Sequence, residues 1–150
     1  MLPHKHVAIS TAVGAVGWWA TGTWQSAAAA LATGVLPDLD HGVDYLYYYW
    51  RRQHRLFLPL HGYEYAIIGA GFATAYGSAV LWVAVLSYLI HLLADQMENR
   101  THWLGYSLLF RAWHRFRLDR ISTMPEAAAR GRMDDLQMLG RLWGRLRGVR

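Results

Sequence analysis

Cysteine is absent from the 150 residues, which excludes disulfides and thiolate metal ligands. Any transition-metal site must therefore draw on histidine and carboxylate, and no redox compartment can be read from the chain. Charge is scarce as well: Asp, Glu, Lys and Arg make up 17% of residues against 54% hydrophobic, below and above the usual soluble proportions. No segment alternates polar and apolar residues over any length, and no fixed-period repeat is visible. The fold class expected is all-α: a helical bundle of about four apolar, membrane-embedded helices, followed by a basic amphipathic helical tail.

What is present is apolar, aromatic and histidine-bearing. Val7–Trp24 is nearly uncharged and approaches the length of one bilayer crossing. The bulky Trp18-Trp19 pair and the preceding histidines argue against a cleaved signal peptide. Gly22-Thr23 marks a turn, and Ala27–Leu36 is a second apolar segment stopped by Pro37. From Tyr65 to Leu93 the chain is again apolar, too long for one ordinary helix and broken at Tyr76-Gly77-Ser78. Two helices are predicted there, over about 62–76 and 79–98. Gly69-Ala70-Gly71 would allow close helix approach. A cap-and-proline signal at Ser122–Glu126 predicts a final helix over about 126–147.

The net charge of +5 is unevenly spread. Residues 1–99 hold four Lys or Arg against six acids, whereas 100–150 hold eleven Arg against four. The division expected is thus a bundle over 1–99 and a basic tail over 100–150. With four crossings, the short links near 22–26 and 76–78 contain no Lys or Arg. All fifteen fall in the N-terminus, the 37–62 connection and the tail. That is the sorting expected if those three parts face the cytoplasm at an inner membrane. Because the second and third helices are short for full crossings, a partly embedded bundle is the alternative to a multi-pass one. The Arg-rich tail then suits an anionic membrane surface and membrane lipid. Specific nucleic-acid binding is not expected, since the tail carries no recognised fold.

The chemistry centres on Leu36-Pro37-Asp38-Leu39-Asp40-His41. Two carboxylates and an imidazole beside so much apolar sequence are costly unless a cation binds them. The alternative is a capped turn, with Pro37 ending one helix and an aspartate starting the next. His91 and Asp95 lie four apart on a predicted helix and so share a face, at the end of the most apolar segment. Of the N-terminal histidines, His6 is the better placed to reach a site. His54 and His61 stand on either side of Pro59, and either can be a ligand; His54-Arg55 could equally hold an anion. Glu64 can bind metal, orient His61 or serve as a base. Asp44 reads as a helix-start residue. Together these clusters stand at helix ends that can converge at one end of a bundle, a usual place for His/carboxylate sites. The expected ligands of a divalent metal are His6, Asp38, Asp40, His41, His54, His61, His91 and Asp95. Zinc leads, with Mn²⁺ and Fe²⁺ as alternatives.

Over about residues 1–100, the chain resembles the YdjM-type family of inner-membrane-associated metal-dependent hydrolases. The resembling residues are His6, the Leu36–His41 motif, His54-Arg55 with His61, and His91 with Asp95. Family members usually carry a more compact His-Arg-Gly-x-x-His and lack the Arg-rich extension. The resemblance implies a remote relation to zinc-dependent phospholipase C, in which several zinc ions activate water for phosphodiester cleavage. The function expected is a membrane-associated hydrolase of a phosphoester or lipid-like substrate, with Arg55 binding substrate phosphate and Glu64 as general base. The alternative is a non-catalytic membrane protein with a structural metal or polar cluster and a partner- or lipid-binding tail.

Overall fold

The computed structural model of the chain describes residues 3–51, 55–99, 101–130 and 133. Two antiparallel helices come first, α1 (Pro3–Thr21) and α2 (Trp24–Val35). Gly22 makes the turn between them at φ +70°, a conformation that suits a residue without Cβ. The Thr23 hydroxyl then caps α2 by accepting from the Gln25 amide. A 3₁₀ turn, Leu36–Asp38, carries Pro37 and leads into α3 (Leu39–Arg51). The helical hairpin α4 (Tyr63–Ala75) and α5 (Ala79–Asn99) follows, turning at Gly77 with φ +59°. Two short helices complete the described chain, α6 (Leu108–Trp113) and α7 (Leu118–Ile121), with one further helical segment over 125–130. Among the described residues there is no strand, only two isolated bridges, Arg55 with Arg117 and Thr101 with Ser122.

Small residues decide how closely the long helices approach. A Cβ on Gly14 would stand 3.1 Å from the Ala27 backbone, and one on Gly17 would strike Val83. Gly34 is enclosed by Ser10 of α1 and Ser87 of α5, and Ser87 donates to the Ala30 carbonyl of α2 at 2.7 Å. This seam draws α1, α2 and α5 together as small residues do in membrane bundles. In α4, Gly69 meets Val85 of α5 whereas Gly71 faces open space, so one of the two glycines serves the close approach.

The helix breaks expected at Gly22-Thr23, Pro37 and Tyr76–Ser78 are present, and the fold is all-α. The expectation of four membrane crossings meets a limit of length. Among the described residues, only α5 is long and apolar enough to cross a membrane. The 12 and 13 residues of α2 and α4 span about 18–20 Å, short of the roughly 30 Å hydrocarbon core. The 37–62 connection is also more ordered than its mixed composition suggested, since Leu39–Arg51 is helical.

Residues 101–130 fold back on the bundle. Tyr106, Arg111, Leu118 and Ile121 are buried, and Tyr106 joins Leu58, Ala66, Tyr88 and Leu92 in one core cluster. Arg115 and Phe116 take left-handed backbone angles, φ 53° and 58°. That reversal lets the Phe116 carbonyl accept from the Leu56 amide at 2.8 Å. The helix begun at Pro125 agrees with the start signal in the sequence; most of its expected course to 147 lies outside the described residues.

Candidate metal centre

Helix direction brings the polar residues to one end of the bundle. α1 starts there with His6, α2 finishes there at the Leu36–Asp38 turn, and α3 starts there with Asp40 and His41. The loop before α4 supplies His61, and the last turns of α5 supply His91 and Asp95. His6, Asp40, His61, His91 and Asp95 are each at most 2% exposed. Charged or ionisable groups so buried need partners or a cation.

The tautomers of two imidazoles follow from their outer partners. His91 Nδ1 lies 2.9 Å from the Gly34 carbonyl, which can only accept, so Nδ1 carries the proton. His61 Nδ1 donates to Asp40 Oδ2 at 3.1 Å. Asp40 is itself fixed by the Leu60 amide, which donates to Oδ2 at 2.8 Å. Both rings therefore turn Nε2 inward, and the two Nε2 atoms stand 2.9 Å apart. In neutral rings these are two facing lone pairs, an arrangement stabilised by a cation between them or by an added proton. Carbonyl and carboxylate partners behind metal-binding imidazoles are the usual means of setting ring orientation.

Asp38 sits at the centre of this arrangement. Its Oδ1 lies 4.0 Å from His6 Nε2, 3.8 Å from His41 Nε2, 3.9 Å from His61 Nε2 and 3.8 Å from His91 Nε2. Neither Asp38 oxygen has a hydrogen-bond partner although both are buried. Burial raises its pKa above the ordinary carboxylate value despite the nearby His6 and His61. Asp95 completes the set, 3.0 Å from His6 Nε2 through Oδ1 and 3.2 Å from His61 Nε2 through Oδ2. Ligands held about 2.1 Å from one zinc ion stand roughly 3–4 Å from each other, which is the spacing observed.

Two overlapping four-residue groups result, His6–Asp38–His91–Asp95 and Asp38–His41–His61–Asp95, with ligand atoms within 4.8 Å of one another in each. They share both aspartates. The donor set, imidazole nitrogen with carboxylate oxygen, fits a divalent ion, and the orphaned Asp38 oxygens are the atoms such an ion would satisfy. His41 lies on the open side of the cluster, with its side chain 29% exposed.

Of the eight expected ligands, His6, Asp38, His41, His61, His91 and Asp95 are brought together in these groups. Asp40 stands behind His61 as its hydrogen-bond partner, and its Oδ1 remains 3.9 Å from His41 Nδ1. His54 lies outside the described residues. Glu64 belongs to neither group. Its carboxylate accepts from the Ser107 hydroxyl at 2.6 Å and from the Leu108 and Leu109 amides, closing the N-terminus of α6. Burial would raise Glu64, but these donors outweigh it and hold the group below its ordinary pKa. Arg55 also stands outside the groups, its backbone bridged to Arg117. Asp44 is not at the start of α3 but in its second turn, buried and accepting from the Phe57 amide at 2.7 Å. His102 stacks on Phe110, and the His114 ring meets the same phenylalanine edge-on.

Arg111 was not singled out in the sequence. It is wholly buried and donates to the Leu58 carbonyl at 2.9 Å and to the His61 carbonyl, clamping the loop that delivers His61. Nothing in the sequence separates it from the other ten arginines after residue 99. The Gly34 carbonyl behind His91 was missed too; its signal was a glycine late in an alanine-rich helix, which serves close approach of a neighbour as well as a helix stop. Comparison of the chain with protein-family models, curated proteins and solved structures returned no match.

Proposed function

We propose that this chain is a membrane-associated, metal-dependent hydrolase acting on a phosphoester or related bond of a lipid-like substrate, with zinc as its ion. One observation carries the metal assignment: four imidazole Nε2 atoms surround Asp38 Oδ1 at 3.8–4.0 Å while both Asp38 oxygens lack a hydrogen bond. His6, Asp38, His41, His61, His91 and Asp95 would hold the ion or ions. An ion held there supplies Lewis acidity and lowers the pKa of water to about 7. The chain's own residues orient the ligands: the Gly34 carbonyl holds His91, Asp40 holds His61, and Arg111 holds the His61 loop. The exposed flank at His41 gives a substrate its approach.

Support for the membrane setting comes from α5 and from the tryptophans. Trp18, Trp19, Trp24 and Trp82, at the α1–α2 turn and the start of α5, are exposed at the bundle end remote from the cluster, and Trp50, Trp103 and Trp113 are exposed as well. A group of exposed tryptophans at one end of a helical bundle resembles an aromatic belt of membrane proteins. The tail's arginines, by their number, suit the anionic cytoplasmic surface, and the resemblance to inner-membrane-associated hydrolases points the same way.

The near-complete burial of His6, His61, His91 and Asp95 favours a second reading, a closed structural metal in a non-catalytic membrane protein. The two differ in the coordination shell, because a catalytic ion keeps a position open to water. Metal analysis of the purified full-length protein, with Asp38→Ala and His91→Ala variants, tests the site. Stoichiometric metal lost in both variants is expected; metal retained undiminished in both rejects it. X-ray absorption of the zinc-loaded protein then separates an open shell from a shell filled by protein ligands.

A further inference from the structure

A cavity of about 680 Å³ lies among α2, α4 and α5, and its lining is almost wholly apolar. It begins beside the polar cluster, where Pro37 and Leu60, the residues immediately before Asp38 and His61, form its wall. It extends to Phe72 and Leu81 near the α4–α5 turn. Measured along α5 from the level of His91 to Leu81, that is about 15 Å. The volume is that of a ligand pocket rather than a packing defect.

Four hydroxyl-bearing side chains stand in the wall: those of Thr33 and Tyr88 have their hydrogen bonds made to backbone atoms, and Tyr65 and Tyr76 are exposed. The Thr33 hydroxyl donates to backbone carbonyls, 2.9 Å from Ala29 and 2.8 Å from Ala84. The Tyr88 hydroxyl is engaged by Leu60 and Gly62 backbone atoms. No charged side chain lines the groove. Away from the Tyr65 and Tyr76 hydroxyls, a polar ligand would lose its hydration there without replacement, whereas a hydrocarbon chain would not.

We propose that this groove holds one hydrocarbon chain of a membrane lipid whose headgroup lies at the Asp38–His41–His61 cluster. The inference rests on the hydrolase proposal and narrows its substrate to a lipid with a long acyl-type chain. Continuity carries it: the same two peptide links, Pro37-Asp38 and Leu60-His61, join the apolar wall to the candidate ligands. An amphiphile is the molecule with matching halves. The Leu60 amide bonded to Asp40 and the Leu60 carbonyl bonded to Tyr88 fix that junction.

The test uses full-length protein in vesicles of phosphatidylethanolamine and phosphatidylglycerol containing phosphatidylethanolamine with a photoreactive diazirine in one acyl chain. Cross-links are mapped by mass spectrometry. Labelling concentrated on Phe72 and Leu81 is expected. It should fall roughly tenfold in Ala32→Trp, which fills the groove from an exposed position on α2, with label near exposed Trp19 unchanged. Leu81→Trp, read at Phe72, repeats the measurement from α5, so a folding failure of one variant leaves the other to decide. Label spread evenly over exposed apolar faces, or unchanged in a folded groove-filling variant, overturns the proposal. Groove labelling in a wild-type protein that binds no zinc would reject the hydrolase reading and leave the groove standing. Zinc bound with evenly spread label would reject the groove alone.

Discussion

A carboxylate taken out of water without hydrogen bonds destabilises a fold unless a cation replaces the lost solvation, and both Asp38 oxygens are in that position. Asp38→Asn is therefore expected to raise the melting temperature of chelator-treated protein while weakening zinc binding. With zinc present the order should reverse, and thermal scans with and without chelator would show the crossing. Arg111 makes the opposite case. Replacing it with methionine removes two charge-assisted hydrogen bonds inside the core and is expected to cost about 3 kcal/mol, measurable by denaturant titration. The two residues also differ in legibility. Asp38 announced itself by standing next to Pro37, two residues from Asp40 and three from His41. Arg111 stood in a basic stretch whose charge had a sufficient explanation at the surface, and only the tertiary fold turns it inward.

Elements carry the site by their ends and seams. A methyl group on Gly34 would collide with Ser10 and come within 2.7 Å of Ser87 Oγ, forcing α2 away from α1 and α5. Gly34→Ala is expected to cost about 1–3 kcal/mol and to weaken zinc binding as well, since the carbonyl that orients His91 moves with the helix. Isothermal titration on the folded variant would show the second effect. At α6, Glu64→Gln is expected to cost about 1 kcal/mol. Because the Glu64 pKa is lowered on folding, its contribution is complete above the unfolded-state value and is lost as pH falls through the folded value. The variant's stability should accordingly fall less steeply on acidification below about pH 4.5. Helix boundaries near Gly22, Pro37 and Gly77 were readable because they rest on local backbone chemistry. The helix over Leu39–Arg51 was passed over although Leu39, Val43, Leu46 and Trp50 recur along it at helical spacing, because its acids and arginine made the stretch read as a mixed connection. The role of Glu64 was equally hidden, because the helix it caps begins 44 residues further on.

For the molecule as a whole, the candidate site joins positions 6 and 95, so an ion bound there ties α1, the α2–α3 turn and α5 together. Zinc at about a thousand times its Kd would add about 4 kcal/mol, or roughly 8–16 °C in melting temperature, and chelation should remove that gain. Convergence of the clusters could be anticipated from their common place at helix ends. The number of membrane crossings could not, because local apolarity does not distinguish a helix facing lipid from one facing its neighbours. The Arg111 clamp adds a consequence for biosynthesis. Every described candidate ligand is synthesised before residue 111, yet the His61 loop gains its support only afterwards. The imidazoles and carboxylates thus exist in the chain before their geometry is held. Selective metal loading is then a step for the finished chain, and the arginine that completes it lies outside the stretch carrying the described candidate ligands.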